Sequence, residues 1–532
     1  MTESPRSSVA QVRSMWPFFS KLWLGRLGRS GPAVAEAALS QISGWRAWLA
    51  AAITNISKDK PCLPEDAAHR LKLLPVIQLL LLDEELRRAA RFLDATSSRQ
   101  NFVVSPSESL PGESSAYLFT ASCNSNGYVR EAALTAFGNH PDRLAIAAAL
   151  IRCDDWVPQV QRAASGSLSR LLESDSASLI FDLLPLLLHL RQRKRISAEI
   201  WPQRVEPVLR SPGLRVSRWN STKSPDSETR AYAYQLVLEA DSERAQEALF
   251  QASADRHPKI SIWALNLAVT LLVSDVQTLI RRALRHSDSE VRAQALRLFA
   301  QFGTADLHEV LEGFLFDNSR GPRDAAVFLL DQHFKESALK HWRESIDAGV
   351  SPHRHIAVAA VSYAAEPEDV SRLQPFLRDP SARVRAFTLR GLVRADGAHA
   401  EKYLAAALRD ASAFVVRFAM SLTSKHGQLF ALKDLQEAFE SSSSEATRRQ
   451  LSFASRLLGK WDSLEFLLWL TTVHRWDISA VGLDRWLLSS NRRFTTLDEN
   501  TRVRLLKQLR EVAGRVTDDR WSRVEIVLRR GP

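Results

Sequence analysis

Apolar side chains recur along most of this chain at helical spacing, and the pattern itself repeats with a fixed period. With Val291 taken as position zero, positions 0, +4 and +8 fall on one face of a helix, because an α-helix turns once every 3.6 residues. Equivalent positions lie 31 residues apart at Thr229, Ile260, Val291, Pro322, His353, Val384 and Val415. Val129 and Val160 form an upstream pair with the same step, and Thr447 follows one residue late. A period of this length predicts an array of antiparallel helix pairs.

Two residue types mark the repeat more sharply than hydrophobicity does. Position +1 is arginine in seven of the ten units, at Arg130, Arg230, Arg292, Arg323, Arg354, Arg385 and Arg448. Position +4 is alanine in eight of the ten units, which indicates that two helix axes approach closely there. Asp, Asn or Ser precedes each of these helices, where such side chains cap free amide groups. In the second half of the array the aspartates Asp255, Asp317, Asp379 and Asp410 lie five residues before position zero.

The spacing divides the chain into three regions. Residues 117–459 hold the array, residues 1–116 read as an N-terminal helical cap region, and residues 460–532 read as a tryptophan-rich helical C-terminal cap. Terminal units of an array need a different outer face, which is why irregular caps are expected. The array is interrupted near 187–226, since Val160 and Thr229 lie 69 residues apart. This interval holds either one degenerate unit with seven extra residues or an insertion of 38 residues.

The repeat resembles a known family. The segment Asp-Pro-Ser-Ala-Arg-Val-Arg-Ala-Phe-Thr-Leu-Arg-Gly-Leu at 379–392 is similar to the short HEAT repeats of the class called PBS-lyase HEAT-like repeats, and residues 288–299 match next best. The resemblance implies an all-α fold, an α-solenoid built as a superhelix of antiparallel helix pairs. It also implies that the helix carrying Val and Arg lines the concave side. The turn aspartate and the arginine would form a ladder between neighbouring units.

The amino-acid composition limits the partners and the cellular location that we expect. The chain of 532 residues is 45% hydrophobic and carries a formal net charge of +11, which permits binding to an acidic protein, a nucleic acid or an anionic surface. Its three cysteines, Cys62, Cys123 and Cys153, show no metal-ligand spacing and predict a reducing, cytoplasmic location. No secretory signal is recognised, and no apolar run is long enough to span a bilayer. Residues 15–28 predict a short amphipathic helix, either a cap over the first helix pair or a membrane-surface or partner-docking helix.

The sequence offers no recognisable reaction chemistry. Related arrays that hold a diiron site carry several His-Glu dipeptides, whereas this chain has only His308-Glu309. It lacks a glycine-rich phosphate loop, an HExxH motif and a G-x-S-x-G elbow. We therefore expect a protein that is not an enzyme and that has no cofactor and no metal site.

The leading functional hypothesis is a scaffold or adaptor that binds a protein partner on its concave face. The residues predicted to contact that partner stand at offsets +3 and +6, and they are Tyr232, Trp263, Arg297, Phe328, Phe387, Arg390 and Phe418. A packing contact between successive repeats would equally explain offset +3.

The alternative is nucleic-acid binding through the basic segment 191–223 together with the concave arginines and aromatics. Residues 191–230 carry ten Lys and Arg against four Asp and Glu. The residues predicted for that contact, or for an acidic partner, are Arg191, Arg193, Lys194, Arg195, Trp201, Arg215, Arg218 and Trp219. A glycosylase-like enzyme is the third hypothesis.

Overall fold

The structure is a computed structural model that describes residues 65–96, 115–137, 141–271, 275–349, 353–426, 431–473, 475–490, 495–516 and 518–530. These residues form helices and turns and no strand. The predicted helix at 15–28 and Cys62 lie outside the described residues. None of the described helices combines the length and the apolar character that crossing a bilayer requires.

The α-helices are numbered in chain order. They are α1 Glu65–Leu73, α2 Val76–Thr96, α3 Ser115–Ser122, α4 Gly127–Ala136, α5 Arg143–Arg152, α6 Pro158–Glu173, α7 Leu184–Leu190, α8 Glu206–Leu209, α9 Arg215–Ser221, α10 Ser227–Ala240, α11 Ala245–Ala252, α12 Pro258–Thr270, α13 Val276–Ala283, α14 Ser289–Gln301, α15 Leu307–Phe314, α16 Arg320–Phe334, α17 Ala338–Asp347, α18 Arg354–Ala364, α19 Val370–Leu373, α20 Ala382–Ala395, α21 Ala400–Leu408, α22 Ala413–His426, α23 Leu432–Ser441, α24 Glu445–Phe453, α25 Lys460–Thr472, α26 Trp476–Ser490, α27 Glu499–Ala513 and α28 Arg520–Arg530. Short 3₁₀ turns join several of them, at Asp175–Ile180, Pro212–Leu214, Pro367–Asp369, Gln374–Arg378, Gly397–His399 and Ala454–Leu457.

The chain divides into two compact units, residues 1–299 and 300–532. In the second unit, α18, α20, α22, α24, α26 and α28 contact one another in that order and form one layer. The second helices of the same pairs, α21, α23, α25 and α27, contact one another in order as the other layer. This stacking of antiparallel pairs confirms the HEAT-like α-solenoid architecture predicted from the 31-residue period.

The predicted buried face is confirmed in α20, where positions 0, +4 and +8 are Val384, Thr388 and Leu392, all buried. Alanine at +4 is fully buried in α14, at Ala295. Small side chains there let neighbouring helices approach. The clearest close approach is at Gly391, where an added Cβ would lie 2.6 Å from Leu373 Cδ1 and 2.9 Å from Ser362 Cα.

The interruption near 187–226 is helical. It contains α7, a π-helical segment Ile196–Val205 with Pro202 inside it, α8 and α9. Proline removes one backbone donor, and a π-helical turn is a known way to absorb such a break. Ile196, Trp201 and Leu209 are buried in the same apolar core as α3–α7. The interval is therefore helical and packed rather than a loop, and its interpretation as a degenerate unit stays a prediction.

One apolar cluster of the second unit extends from Leu408 in α21 to Leu528 in α28. Trp486 and Trp521 are buried within it, and Trp461, Trp469 and Trp476 pack against it. The tryptophans of 460–532 thus serve packing, and α25–α28 continue the stack of pairs. The proposed boundaries at 116 and 459 stay predictions.

Candidate functional site

Several arginines at position +1 bind the turn aspartate of the following repeat. Arg230 donates from Nε and Nη2 to Asp255, with both bonds 2.8 Å long. Arg130 makes the same pair of bonds to Asp155, at 3.0 and 2.9 Å. Bidentate bonds of this kind combine charge with fixed geometry. The ladder of arginine–aspartate bonds implied by the HEAT resemblance is therefore present, and its side chains are directed into the protein rather than towards solvent.

Arg130, Arg230 and Arg385 also bond to carbonyl oxygens of their own turns. Arg385 Nη1 donates to the carbonyl oxygens of Asp379 and Pro380, at 2.8 and 3.2 Å, while Nε and Nη2 reach Asp410. Asp410 Oδ1 in turn accepts from the backbone amide of Ser412 at 2.7 Å and holds that turn. With these donors engaged inside the protein, the arginine column is structural and leaves little capacity for a ligand.

Much of the predicted basic segment is engaged in the same way. The Arg191 guanidinium stacks 4.4 Å from the ring centre of Trp201, whose side chain is only 3% exposed. Arg193 pairs with Asp154 at 3.1 Å, and Arg195 donates to the Asp155 carbonyl oxygen at 2.7 Å. Lys194 is exposed and also has a partner. These contacts fasten the helical interval to the preceding repeat.

The remaining residues predicted to contact a nucleic acid or an acidic partner are also engaged in contacts within the protein. Arg218 is buried and donates to the carbonyl oxygens of Leu209 and Ser211, at 3.0 and 2.7 Å. Arg215 pairs with Asp241 and Glu243, and Arg244 covers the buried ring of Trp219 at 4.9 Å. The density of positive charge seen in the sequence is therefore largely balanced within the fold.

The predicted partner-binding residues separate into packed and accessible side chains. In the first unit Tyr232 is buried against Trp201, with ring centres 5.7 Å apart, and Trp263 is half-buried against an apolar cluster. Arg297 is exposed on α14, where Nη1 lies 3.5 Å from Gln294 Oε1. In the second unit Phe328 is 65% exposed on α16. Offset +3 is thus a packing position in α10 and α12.

Three predicted residues come together in the second unit. The Arg390 guanidinium lies 5.4 Å from the ring centre of Phe387 and 5.1 Å from that of Phe418, so it bridges α20 and α22. Phe414 continues the row, 6.3 Å from Phe418, and Arg417 lies 5.9 Å from the Phe414 ring. All are half-buried or exposed. Arginine over an aromatic face is a stable arrangement.

The row ends in a groove of about 440 Å³ between α22, α24 and α26. The described residues that line it are Arg417, Met420, Ser421, Gln450, Phe453, Arg456 and Arg485. Three of them are arginines and none is acidic. We call the surface formed by Phe387, Arg390, Phe414, Arg417, Phe418, Phe453, Arg456 and Arg485 the arginine–aromatic face.

The guanidiniums of the groove lack acidic partners within the described part of the chain. Arg417, Arg456 and Arg485 are exposed, and none of them pairs with a carboxylate of a described residue. Arg485 lies 5.7 Å from the Phe453 ring, which is itself exposed. The sequence analysis missed Arg417, Arg456 and Arg485 because they come from different segments of the chain and share no common offset within the repeat.

A second groove, of about 450 Å³, lies in the first unit. Its lining mixes both signs of charge, with Asp83, Glu84 and Asp154 beside Arg87 and Arg193. Beneath it a buried network joins Asp83 to Arg152 and Arg152 to Asp155. A groove whose charges are paired in this way lacks the one-sided potential of the arginine–aromatic face.

The described thiols are unsuited to nucleophilic chemistry. Cys123 and Cys153 are both buried, and burial raises the pKa of each thiol to about 12. A thiolate is the reactive form, so both groups are inert near neutral pH.

A cluster of two histidines and two glutamates lies between α15 and α17. His308 and Glu312 are one turn apart on α15, whereas Glu336 lies just before α17 and His341 in its first turn. Both imidazoles lie between the same two carboxylates, at distances of 2.7 to 3.6 Å. The hydrogen bond from His308, followed by that from Lys340, lowers the pKa of Glu336 to about 2, so its carboxylate is ionised at neutral pH. The sequence analysis missed this cluster because its members belong to different repeats.

No protein-family model and no curated protein matches this chain. Among solved structures it is similar to importin beta crystallised in an ammonium sulfate condition, with 14% identity over 85% of this chain and 67% of that one and a TM-score of 0.35. It is also similar to Kap121p bound to Nup53p, with 13% identity and a TM-score of 0.36. That match covers 88% of this chain but only 57% of Kap121p. Likeness at this level supports no inference about a partner or an activity.

Proposed function

We propose that this protein is a non-catalytic helical-repeat scaffold, and that its arginine–aromatic face binds an acidic segment of a partner protein that also carries apolar side chains. Three of the helices that bear this face, α20, α22 and α24, are ones that the HEAT resemblance assigns to the concave side. A cytoplasmic location stays a prediction.

One observation carries the proposal. Arg417, Arg456 and Arg485 surround a groove floored by Met420 and Phe453, and none of the three has an acidic partner among the described residues. Elsewhere in the second unit arginines pair with carboxylates, as Arg343 does with Asp369 and Arg520 with Asp484. Exposed like charges held together without a counterion repel one another, so carboxylates of a partner would remove that cost.

The neighbouring aromatic rings define the second half of the partner's chemistry. Phe414 and Phe453 are exposed on adjacent helices, and Phe387 and Phe418 are half-buried beside Arg390. Aromatic and arginine side chains are the residues enriched where protein interfaces gain most of their free energy. A partner segment with acidic and apolar side chains would satisfy both components at once.

Nucleic-acid binding is the second candidate, and the same arginine–aromatic contacts favour it, because bases stack on aromatic rings while arginines hold phosphates. Two observations weigh against it. Residues 300–532 carry 34 Lys and Arg against 30 Asp and Glu, so the positive surface is local rather than extended. The basic segment 191–223, moreover, uses most of its arginines inside the fold. A glycosylase-like site is not supported by the groove, since no acidic residue lines it.

The test is a selection of peptides from a random display library on the full chain. Peptides enriched on the wild type should be acidic and contain aromatic or large aliphatic residues. They should lose binding to the triple variant Arg417→Ser, Arg456→Ser and Arg485→Ser. The control variant Arg320→Ser, Lys433→Ser and Arg529→Ser removes the same charge from exposed pairs elsewhere in the second unit, and it should bind as the wild type does.

Two results would overturn the protein-binding proposal. One is a set of enriched peptides that bind both triple variants equally. The other is that no peptide is enriched and that a single-stranded oligo(dT) binds tightly instead. If that binding weakens steeply with salt and is lost in the groove variant, the nucleic-acid alternative is established.

A further inference from the structure

The His308–Glu336–His341 cluster has the arrangement of a metal-binding site. His308 Nε2 lies 2.7 Å from Glu336 Oε2, and His341 Nε2 lies 3.3 Å from Glu336 Oε1. One donor atom from each of the three residues falls within 4.8 Å of the other two. Both imidazoles therefore direct the same ring nitrogen towards one carboxylate.

The opposite nitrogens face a second carboxylate. Glu312 Oε1 lies 3.2 Å from His341 Nδ1 and 3.6 Å from His308 Nδ1. Histidines that bind a metal usually donate their other N–H to a carboxylate, which fixes the tautomer and the ring orientation. Glu312 occupies that position for His341 and lies just beyond hydrogen-bond distance of the His308 ring.

An independent observation points into the same space. The His341 side chain is 10% exposed, and its Nε2 atom is buried without a hydrogen bond to any described residue, although Glu336 Oε1 is near. A buried polar atom without such a bond is costly, and native structures usually satisfy it with water or an ion. The His308 ring is held in place by Phe334, which packs edge-on with ring centres 4.8 Å apart.

We propose that His308 Nε2, His341 Nε2 and the Glu336 carboxylate bind a divalent transition-metal ion, with Zn²⁺ the best match to this donor set, and that Glu312 positions both imidazoles. Two imidazoles and one carboxylate suit Zn²⁺, which takes nitrogen and oxygen ligands at about 2.0 to 2.2 Å. Three protein donors leave one coordination position for water.

Little has to move for the ion to enter. Donor atoms around a tetrahedral Zn²⁺ lie about 3.3 Å apart, whereas His308 Nε2 and Glu336 Oε2 are now 2.7 Å apart. A small side-chain rotation opens that distance. Lys340 Nζ, 3.1 Å from Glu336 Oε1, has to withdraw, and its exposed side chain is free to do so.

The site would fasten two neighbouring repeats on the side away from the arginine–aromatic face. α15 and α17 are the second helices of consecutive units, and the ion would join them through side chains 28 and 33 residues apart in the sequence. Binding to the folded state alone raises stability according to the free metal concentration. The inference is independent of the proposed partner surface.

The experiment titrates the full chain, freed of metal by a chelator, with Co²⁺ and Zn²⁺. The visible spectrum of bound Co²⁺ should show ligand-field bands without the charge-transfer band of a thiolate ligand, which separates this site from any binding by the cysteines. Zn²⁺ should bind one per chain, displace Co²⁺ and raise the unfolding temperature.

Four variants test which residues bind or orient the metal ion. His341→Gln and Glu336→Gln should weaken Zn²⁺ binding by about 100-fold or more, and Glu312→Gln should weaken it by about 10- to 100-fold, because the ligands remain but lose their orientation. His399→Gln is the matched control, since His399 pairs with Asp396 at the surface of the same unit, and it should bind as the wild type does.

Circular dichroism establishes that each variant is folded. The assignment fails if Co²⁺ gives no ligand-field spectrum, if thiolate bands dominate, or if folded His341→Gln binds as tightly as His399→Gln.

Discussion

Arg385 donates two hydrogen bonds, each 2.7 Å long, from Nε and Nη2 to the two carboxylate oxygens of Asp410 in the turn that begins the next repeat. The two residues are 25 positions apart, and so are Arg130 and Asp155 and also Arg230 and Asp255. The same bond therefore recurs at three junctions between successive units.

Removing the Arg385 side chain should loosen the contact between α20 and α22. In Arg385→Met the Asp410 carboxylate loses its charged partner, and the carbonyl oxygens of Asp379 and Pro380 lose theirs, at a cost of about 2 to 3 kcal/mol. Arg320→Met breaks an exposed pair one helical turn apart and should change the unfolding free energy by less than about 0.5 kcal/mol. Urea unfolding with hydrogen exchange of peptides from α20 and α22 measures both. Equal effects of the two substitutions would contradict a structural ladder.

Gly391 lies at a close helix contact in the second unit and should not accept a methyl group. The Cβ of Gly391→Ala would lie 2.8 Å from Ser362 Oγ and 2.9 Å from Ser362 Cα, so the backbone of α18 has to shift. We expect a loss of about 1 to 3 kcal/mol from such overpacking. Gly321→Ala on α16 meets no atom within 4 Å and should gain about 0.5 to 1 kcal/mol from helix propensity. Opposite signs in thermal or urea unfolding verify the prediction, and a neutral Gly391→Ala would refute the close approach.

The cysteines of the first unit should be protected from alkylation. Burial raises the pKa of Cys123 and of Cys153 to about 12, so almost no thiolate forms at pH 8. Iodoacetamide should leave both unmodified in the native chain and label both after unfolding in guanidinium chloride, as read by mass spectrometry of their peptides. Rapid native labelling of either residue would show that the core around α3–α6 opens.

The ion pair between Asp484 of α26 and Arg520 of α28 should make stability depend on pH. The hydrogen bond from Arg520 lowers the pKa of Asp484 below its ordinary value of 3.8. Because the pKa of the folded state lies below that of the unfolded state, the stabilisation is complete above about pH 4 and is lost as the pH falls through the lower value. Arg520→Leu should therefore be less stable than the wild type at pH 7, and the difference should shrink below pH 4. Urea midpoints measured across that range test it, with Arg529→Leu, which breaks an exposed pair, as the control.

The fold was predictable from the sequence because repetition multiplies a weak signal. A single Val-Arg pair means little, but arginine at +1 and alanine at +4 in register report two physical needs, a bond to the next turn and a close helix approach. The aspartate partners were also identifiable, since Asp255 and Asp410 share the same offset.

The candidate sites were less predictable because they depend on what each charge meets. Arg215 and Arg218 look alike in the sequence, yet the first pairs with acidic side chains of the next repeat and the second is buried against backbone carbonyls. Arg417 attracted no attention because valine replaces the ladder arginine in its unit. His308 and His341 are 33 residues apart, and only the stacking of second helices brings them together.

The arginine–aspartate bond also constrains the number of residues between successive units. The six units that carry arginine at +1 and precede another unit are each followed by it after 31 residues, and the two irregular steps follow units that lack the arginine. Gln161 precedes the step of 69, and Val416 precedes the step of 32; Ser261, the remaining exception, keeps the regular step. A guanidinium anchored at both ends of a repeat fits a single chain length, so extra residues would pull it off its aspartate. Insertions engineered into this protein should therefore be tolerated best after Gln161 or Val416.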